Sequence, residues 1–174
     1  METKVRLIER PVTVDWMEVR RRCLVTAGKD YDEKVPSMEW RRKILEARHS
    51  PIRYIRFSFY IECPYWVSVH LCRHVHAQPY VRSQRNDRQH DYDRNAARQD
   101  APVAMIWDVN AEELMVIANK RLCKKASPET QEVVEMMRKE VEQECPEFRG
   151  LLVPMCEYQG GVCHEINGCG RCGK

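Results

Sequence analysis

The chain has 174 residues, a net charge of +3 and no apolar run near the length of roughly 18 to 20 residues that a membrane-spanning helix needs. That length fits one domain with its own core, and the near balance of 29 Lys and Arg against 26 Asp and Glu argues against nucleic-acid binding through bulk charge. The opening METKVRLIERPV lacks the apolar stretch of a secretory signal, so the expected location is cytoplasmic, without a membrane partner.

Lys4 to Ile8 reads as a short strand ending before Pro11. Thr13 or Asp15 is placed to cap a helix over Trp16 to Thr26, with Trp16, Val19, Cys23 and Ala27 on one face and Gly28 as its stop. Ser37 caps a second helix through about Arg48, with Trp40, Ile44 and Leu45 as its apolar stripe. In Ile52 to Glu62, Ile55, Phe57, Phe59 and Ile61 alternate with Arg56, Ser58, Tyr60 and Glu62, which predicts a strand with one apolar and one wet face. Pro64 suits the first turn of a helix bearing Trp66, Val67, His70, Leu71 and His74. Gln78-Pro79 breaks that pattern, and Arg82 to Asp100, without a clean period, reads as a long ordered loop or a short helix; a loop of that length in a compact domain is usually functional. Val103 to Trp107 predicts a strand. Asn110 caps a helix over Glu112 to Lys124, with Lys120, Lys124 and Lys125 favouring its negative end. Ser127-Pro128-Glu129 starts another helix, which ends before Pro146, and Leu151 to Val153 reads as a strand.

Nine cysteines in a reducing compartment are expected as thiols or metal ligands. Cys23, Cys63, Cys72, Cys123 and Cys145 lie inside predicted elements and read as core. Cys156, Cys163, Cys169 and Cys172 crowd into a Gly-rich tail with His164; only the last pair has the spacing of a zinc knuckle, and no metal ligand is assigned.

Arg73 to Arg98 carries six Arg, three His and no Lys. A guanidinium grips phosphate or carboxylate with a rigid fork, whereas an ammonium is a point charge, so an Arg-only stretch points to anion recognition. The competing reading is a solvated loop whose arginines pair with Asp87, Asp91, Asp93 and Asp100.

These residues resemble the flavin-dependent thymidylate synthases. That family's hallmark is Arg-His-Arg, seven residues, then Ser, with another Arg two positions on; here Arg73-His74-Val75 is followed by seven residues, then Ser83, Gln84 and Arg85. Upstream stand His49-Ser50-Pro51 at a helix end, the alternating strand, and Pro64 opening the helix that carries the triplet. Downstream, Glu147 to Pro154 looks like the family's Arg, apolar strand and Pro, with one extra residue. Similarity spans roughly Glu46 to Pro154.

The resemblance implies an α+β domain over residues 1–155, a small sheet packed with several helices, with residues 156–174 as a tail. It implies FAD-dependent methylation of dUMP to dTMP, with methylenetetrahydrofolate and NADPH as co-substrates, in a homotetramer with shared active sites. On this chain it places Ser83 and Arg85 at the catalytic centre, Ser83 as a positioning or polarising hydroxyl. Ser50, His70, Arg73 and His74 fall to the cofactor, and Arg73, Ser83, Arg85 and Arg149 to the substrate. The chain departs from the pattern at Val75 (family Arg), His70 (usually Gln) and Tyr80-Val81 (usually Asn-Glu), and it lacks the long helix that follows the Arg-apolar-Pro segment. Each departure removes polar contacts to flavin or uracil. The alternatives are a flavin enzyme acting on another pyrimidine nucleotide, and a non-catalytic nucleic-acid-binding module with a zinc tail.

Overall fold

The computed structural model describes residues 2–85, 87–89 and 92–172. Four strands, β1 (Lys4–Glu9), β2 (Arg56–Pro64), β3 (Gln78–Val81) and β4 (Pro102–Asn110), form one antiparallel sheet in the order β1-β2-β4-β3. Six helices accompany it: α1 (Thr13–Thr26), α2 (Met38–Glu46), α3 (Tyr65–Cys72), α4 (Ala111–Arg121), α5 (Pro128–Glu144) and α6 (Met155–Tyr158). The expected α+β class, a small sheet packed with several helices, is the class observed. No helix among the described residues is long and apolar enough to cross a membrane.

The alternation read in β2 builds the core. Phe57, Phe59, Ile61 and Cys63 are buried, and β4 adds Val103, Met105, Trp107 and Val109 on the same face. Phe59 and Trp107 are direct register partners, and Phe148 meets Phe57 edge-on at 5.2 Å. Burying each such side chain contributes about 1.5–3 kcal/mol. On the opposite face the polar residues pair with one another: Ser58 Oγ donates to Asp108 Oδ1 (2.5 Å), and Arg6 lies over the Tyr60 ring. Ser58 is buried by this, so that face is drier than the expected wet one.

Local signals place most helix ends. Trp40 N–H donates to Ser37 Oγ (3.2 Å), and Glu113 N–H to Asn110 Oδ1 (3.0 Å). The start of α1 differs from expectation: Val12 is the N-cap, and Asp15 acts from inside by accepting the Val12 N–H (2.8 Å).

Several expectations are corrected. Ile52 to Tyr54 belong to a 3-10 turn over Ser50–Tyr54, because Pro51 and Ile52 tuck into the core before the chain extends. Gln78 to Val81 form edge strand β3; Pro79 is tolerated at an edge, where a missing donor breaks no central ladder. Leu151 to Val153 form no strand: they lie in a turn after the 3-10 segment Pro146–Phe148, with Leu152 buried. Of the five cysteines read as core, Cys63 and Cys145 are buried, with thiols pushed up to about 12 by desolvation. Cys23, Cys72 and Cys123 are only half-buried.

The loop after β3 is tied down at both ends. Arg82 N–H donates to Ala104 O (2.9 Å), extending the β3–β4 pairing. At the far end, Gln99 and Ala101 carbonyls accept the Trp66 and Tyr65 N–H groups (3.1 and 2.9 Å), satisfying donors that the first turn of α3 leaves open.

Candidate functional site

Helix α3 delivers Arg73 and His74 at its C-terminal end, and α4 ends beside them. Between the end of α4 and the tail lies a cavity of about 450 Å³, whose lining includes His74, Lys120, Arg121, Lys125, Cys156 and His164. Its lining carries three cations, Lys120, Arg121 and Lys125, against one acid, Glu165, a balance that suits an anion.

His74 is the hinge of this wall. It is 9% exposed, its Nδ1 lies 3.1 Å from Glu113 Oε1, and its Nε2 accepts from Arg121 Nε at 3.0 Å. Arg121 Nη2 also donates to the His70 carbonyl (2.9 Å). A guanidinium only donates, so Nε2 carries no proton and Nδ1–H donates to Glu113: the ring is neutral. Burial, then the Arg121 charge, lower its pKa to about 4, in agreement with that proton count. Burial also raises the Glu113 pKa, and burial followed by the Arg73 charge lowers that of Arg121.

The remaining expected site residues fall in several places. Arg73 is exposed beside the cavity wall. His70 is half-buried on α3, its Nδ1 3.4 Å from Thr130 Oγ1 and its ring edge-on to Trp66. Ser50 is exposed at the start of the 3-10 turn, whose Arg53 lines a second cavity with His76, Glu112 and Glu113. Ser83 and Arg85 lie beyond β3; the three steps of that strand alone cover about 10 Å. Ser83 Oγ accepts the Arg85 N–H (3.3 Å), and Arg85 Nε and Nη2 grip both Asp87 oxygens (2.9 and 2.8 Å). Arg149 Nε donates to the Glu142 carbonyl at the end of α5 (3.2 Å), and its own carbonyl accepts from Arg42 (2.8 Å). Within one chain, then, Arg73, His74 and His70 come together, while Ser83, Arg85 and Arg149 stand elsewhere.

The solvated-loop reading of the arginines holds for two of them, since Arg98 grips Asp100 as Arg85 grips Asp87. Asp93 instead accepts the Asn95 N–H (2.9 Å), and Asp91 lies outside the described residues.

The tail folds back onto the body. Arg171 pairs with Glu157, and its Nη1 donates to the Leu122 carbonyl (3.5 Å). Burial, then the neighbouring Cys172 thiol, raise the Cys156 pKa. Among the described residues no three His, Cys, Asp or Glu side chains come together as a metal site.

Arg121, Lys120, Lys125 and Glu113 escape the sequence reading. A cation in the last turn of a helix reads as a partner for the helix dipole, and nothing local distinguishes one that lines a cavity.

Known proteins share this architecture. The model of the thymidylate synthase complementing protein family matches residues 89–147, downstream of Arg73 to Arg85. A solved structure of a UMP/dUMP methylase, PolB, from Streptomyces cacaoi, bound with 5-Br dUMP, superposes with a TM-score of 0.68 at 15% identity, covering 86% of this chain and 94% of that one. Among curated proteins none matches the sequence. Over residues 89–147 this chain is similar to the thymidylate synthase complementing protein family, and in fold it is similar to that methylase.

Proposed function

We propose that this protein methylates dUMP to dTMP, with FAD as cofactor and methylenetetrahydrofolate and NADPH as co-substrates. The observation that carries the reading is the grouping of Lys120, Arg121 and Lys125 around one cavity, in a fold shared with a dUMP methylase. A nucleotide monophosphate or a dinucleotide pyrophosphate has the charge these groups complement. Flavin, when bound, supplies the hydride, which no side chain here can supply. The protein's own part is to bind and orient. Arg121, held by His74 and the His70 carbonyl, meets phosphate; Arg73 stands outside it as a second cation; the neutral His74 adds no charge of its own.

Ser83 and Arg85 join such a site from a neighbouring copy, because neither lines this cavity in its own chain. That is the reason for proposing a homotetramer with shared active sites, in which Arg85 exchanges Asp87 for a nucleotide and Ser50, in the 3-10 turn whose Arg53 lines the second cavity, faces the flavin. Arg149, already committed to the end of α5, is the weakest of the proposed substrate contacts.

The experiment is direct. Purified protein should be yellow or take up FAD, dUMP should perturb the flavin absorbance, and tritium should be released from position 5 of dUMP in the presence of the folate and NADPH. A colourless protein indifferent to FAD and dUMP overturns the reading.

A second reading, a flavin enzyme acting on another pyrimidine nucleotide, is favoured by the departures at His70, Val75, Tyr80 and Val81, and by a structural relative described as a methylase of UMP as well as dUMP. Tritium release from UMP exceeding that from dUMP selects it.

A further inference from the structure

The cavity wall rests on a buried acid to which the proposed reaction gives no part. Glu113 lies in the first turn of α4 and is 6% exposed. Its one side-chain partner among the described residues is His74, at 3.1 Å. The hydrogen on Nδ1 leaves Nε2 bare, and only a bare Nε2 can receive Arg121 Nε–H at 3.0 Å. With a second Arg121 N–H donated to the His70 carbonyl, two of the five guanidinium donors are consumed inside the protein and three remain for the cavity. The opposite tautomer would set an Nε2–H against an Nε–H, and the guanidinium would have to turn away.

We propose that Glu113 is a positioning residue: by fixing which nitrogen of His74 carries the proton, it holds the Arg121 guanidinium in place for the phosphate of a nucleotide. This inference rests on the nucleotide-binding reading above. The groups that hold the ring and its Arg121 partner come from three elements. Glu113 and Arg121 come from α4, the His70 carbonyl from α3, and the Trp107 ring from β4 at 6.3 Å. His76 and Glu112 act on Glu113, and Arg73 acts on Arg121. A carboxylate suits the task because it accepts and never donates when ionised, so it admits one tautomer only. Holding a histidine tautomer through the ring's other nitrogen is a familiar use of a buried acid.

The test combines a spectroscopic readout with binding on the full-length protein. In ¹⁵N-labelled wild type without ligand, the His74 shifts should report a neutral ring protonated at Nδ1. Glu113→Leu should lose that signature and weaken binding of both dUMP and inorganic phosphate about tenfold, the scale of one misaligned charge-assisted contact. Glu113→Gln, which presents a carbonyl oxygen to the same Nδ1–H, should keep the tautomer and most of the affinity. A wild-type ring protonated at Nε2 overturns the proposal, as does a folded Glu113→Leu with unchanged tautomer and phosphate affinity. The wild-type spectrum needs no variant, so a Glu113→Leu protein that does not fold leaves that arm decisive. Wild type that binds phosphate but neither dUMP nor FAD sinks the nucleotide reading while leaving control of Arg121 by Glu113 intact.

Discussion

Arg85 holds Asp87 with both arms of its fork, Nε to Oδ1 at 2.9 Å and Nη2 to Oδ2 at 2.8 Å. A residue whose position in the motif assigns it to a nucleotide is thus engaged, in the isolated chain, by a carboxylate two residues away. Both side chains are exposed, so the pair is weak, worth about 0–1 kcal/mol. It competes with a phosphate without excluding one.

Asp87→Asn should therefore release Arg85 and tighten dUMP binding by up to about fivefold, the equivalent of a surface pair no longer broken on binding. The melting temperature should barely move. Titration calorimetry with dUMP checks this, and unchanged affinity would mean that Arg85 does not meet the nucleotide.

Arg73→Ala should weaken anion binding far more than it lowers stability, because Arg73 is exposed past the end of α3 and adds no core packing. A further effect has the opposite sign: removing its charge relieves Arg121 of a like-charged neighbour. Paired dUMP titrations and denaturant melts measure the two losses, and equal losses would mark a structural arginine.

Stability should fall with acidification through a window set by His74. Its folded pKa of about 4 lies below the ordinary 6.5, so between those values the unfolded chain binds the extra proton. The native state has its full advantage above pH 6.5 and loses on the order of 3 kcal/mol as pH falls to about 4. Glu113 opposes this in part: with its pKa raised by burial, it takes up a proton more readily folded than unfolded. His74→Gln should flatten the slope in urea melts run across that range.

Asn119→Ala should be costly for its size. Asn119 is 1% exposed; its Oδ1 accepts from Arg48 Nη2 (2.6 Å) and its Nδ2 donates to the Val153 carbonyl (2.7 Å), joining the turn after α2, α4 and the chain entering the tail. Arg48 itself has φ 46°, a left-handed backbone uncommon for a residue with a Cβ, held by this bond and by stacking over Tyr158 at 4.0 Å. Losing both bonds should cost about 2–4 kcal/mol in chemical denaturation, since one is charge-assisted and both partners are half-buried.

What the sequence determined by itself was what neighbouring residues settle among themselves. The β2 alternation, the caps at Ser37 and Asn110 and the Ser127-Pro128 helix start are local signals, and each is found where the chain announces it. The α+β class and the resemblance at Arg73, His74, Ser83 and Arg85 were legible for the same reason. Tertiary structure alone decided the rest. Four residues containing Pro79 become a strand only because β4 offers an edge. His74 becomes a neutral, buried ring only because Glu113 and Arg121, 39 and 47 residues away, close on its two nitrogens. A proton's position depends on which donors and acceptors meet in space, and spacing along a chain carries no record of that meeting.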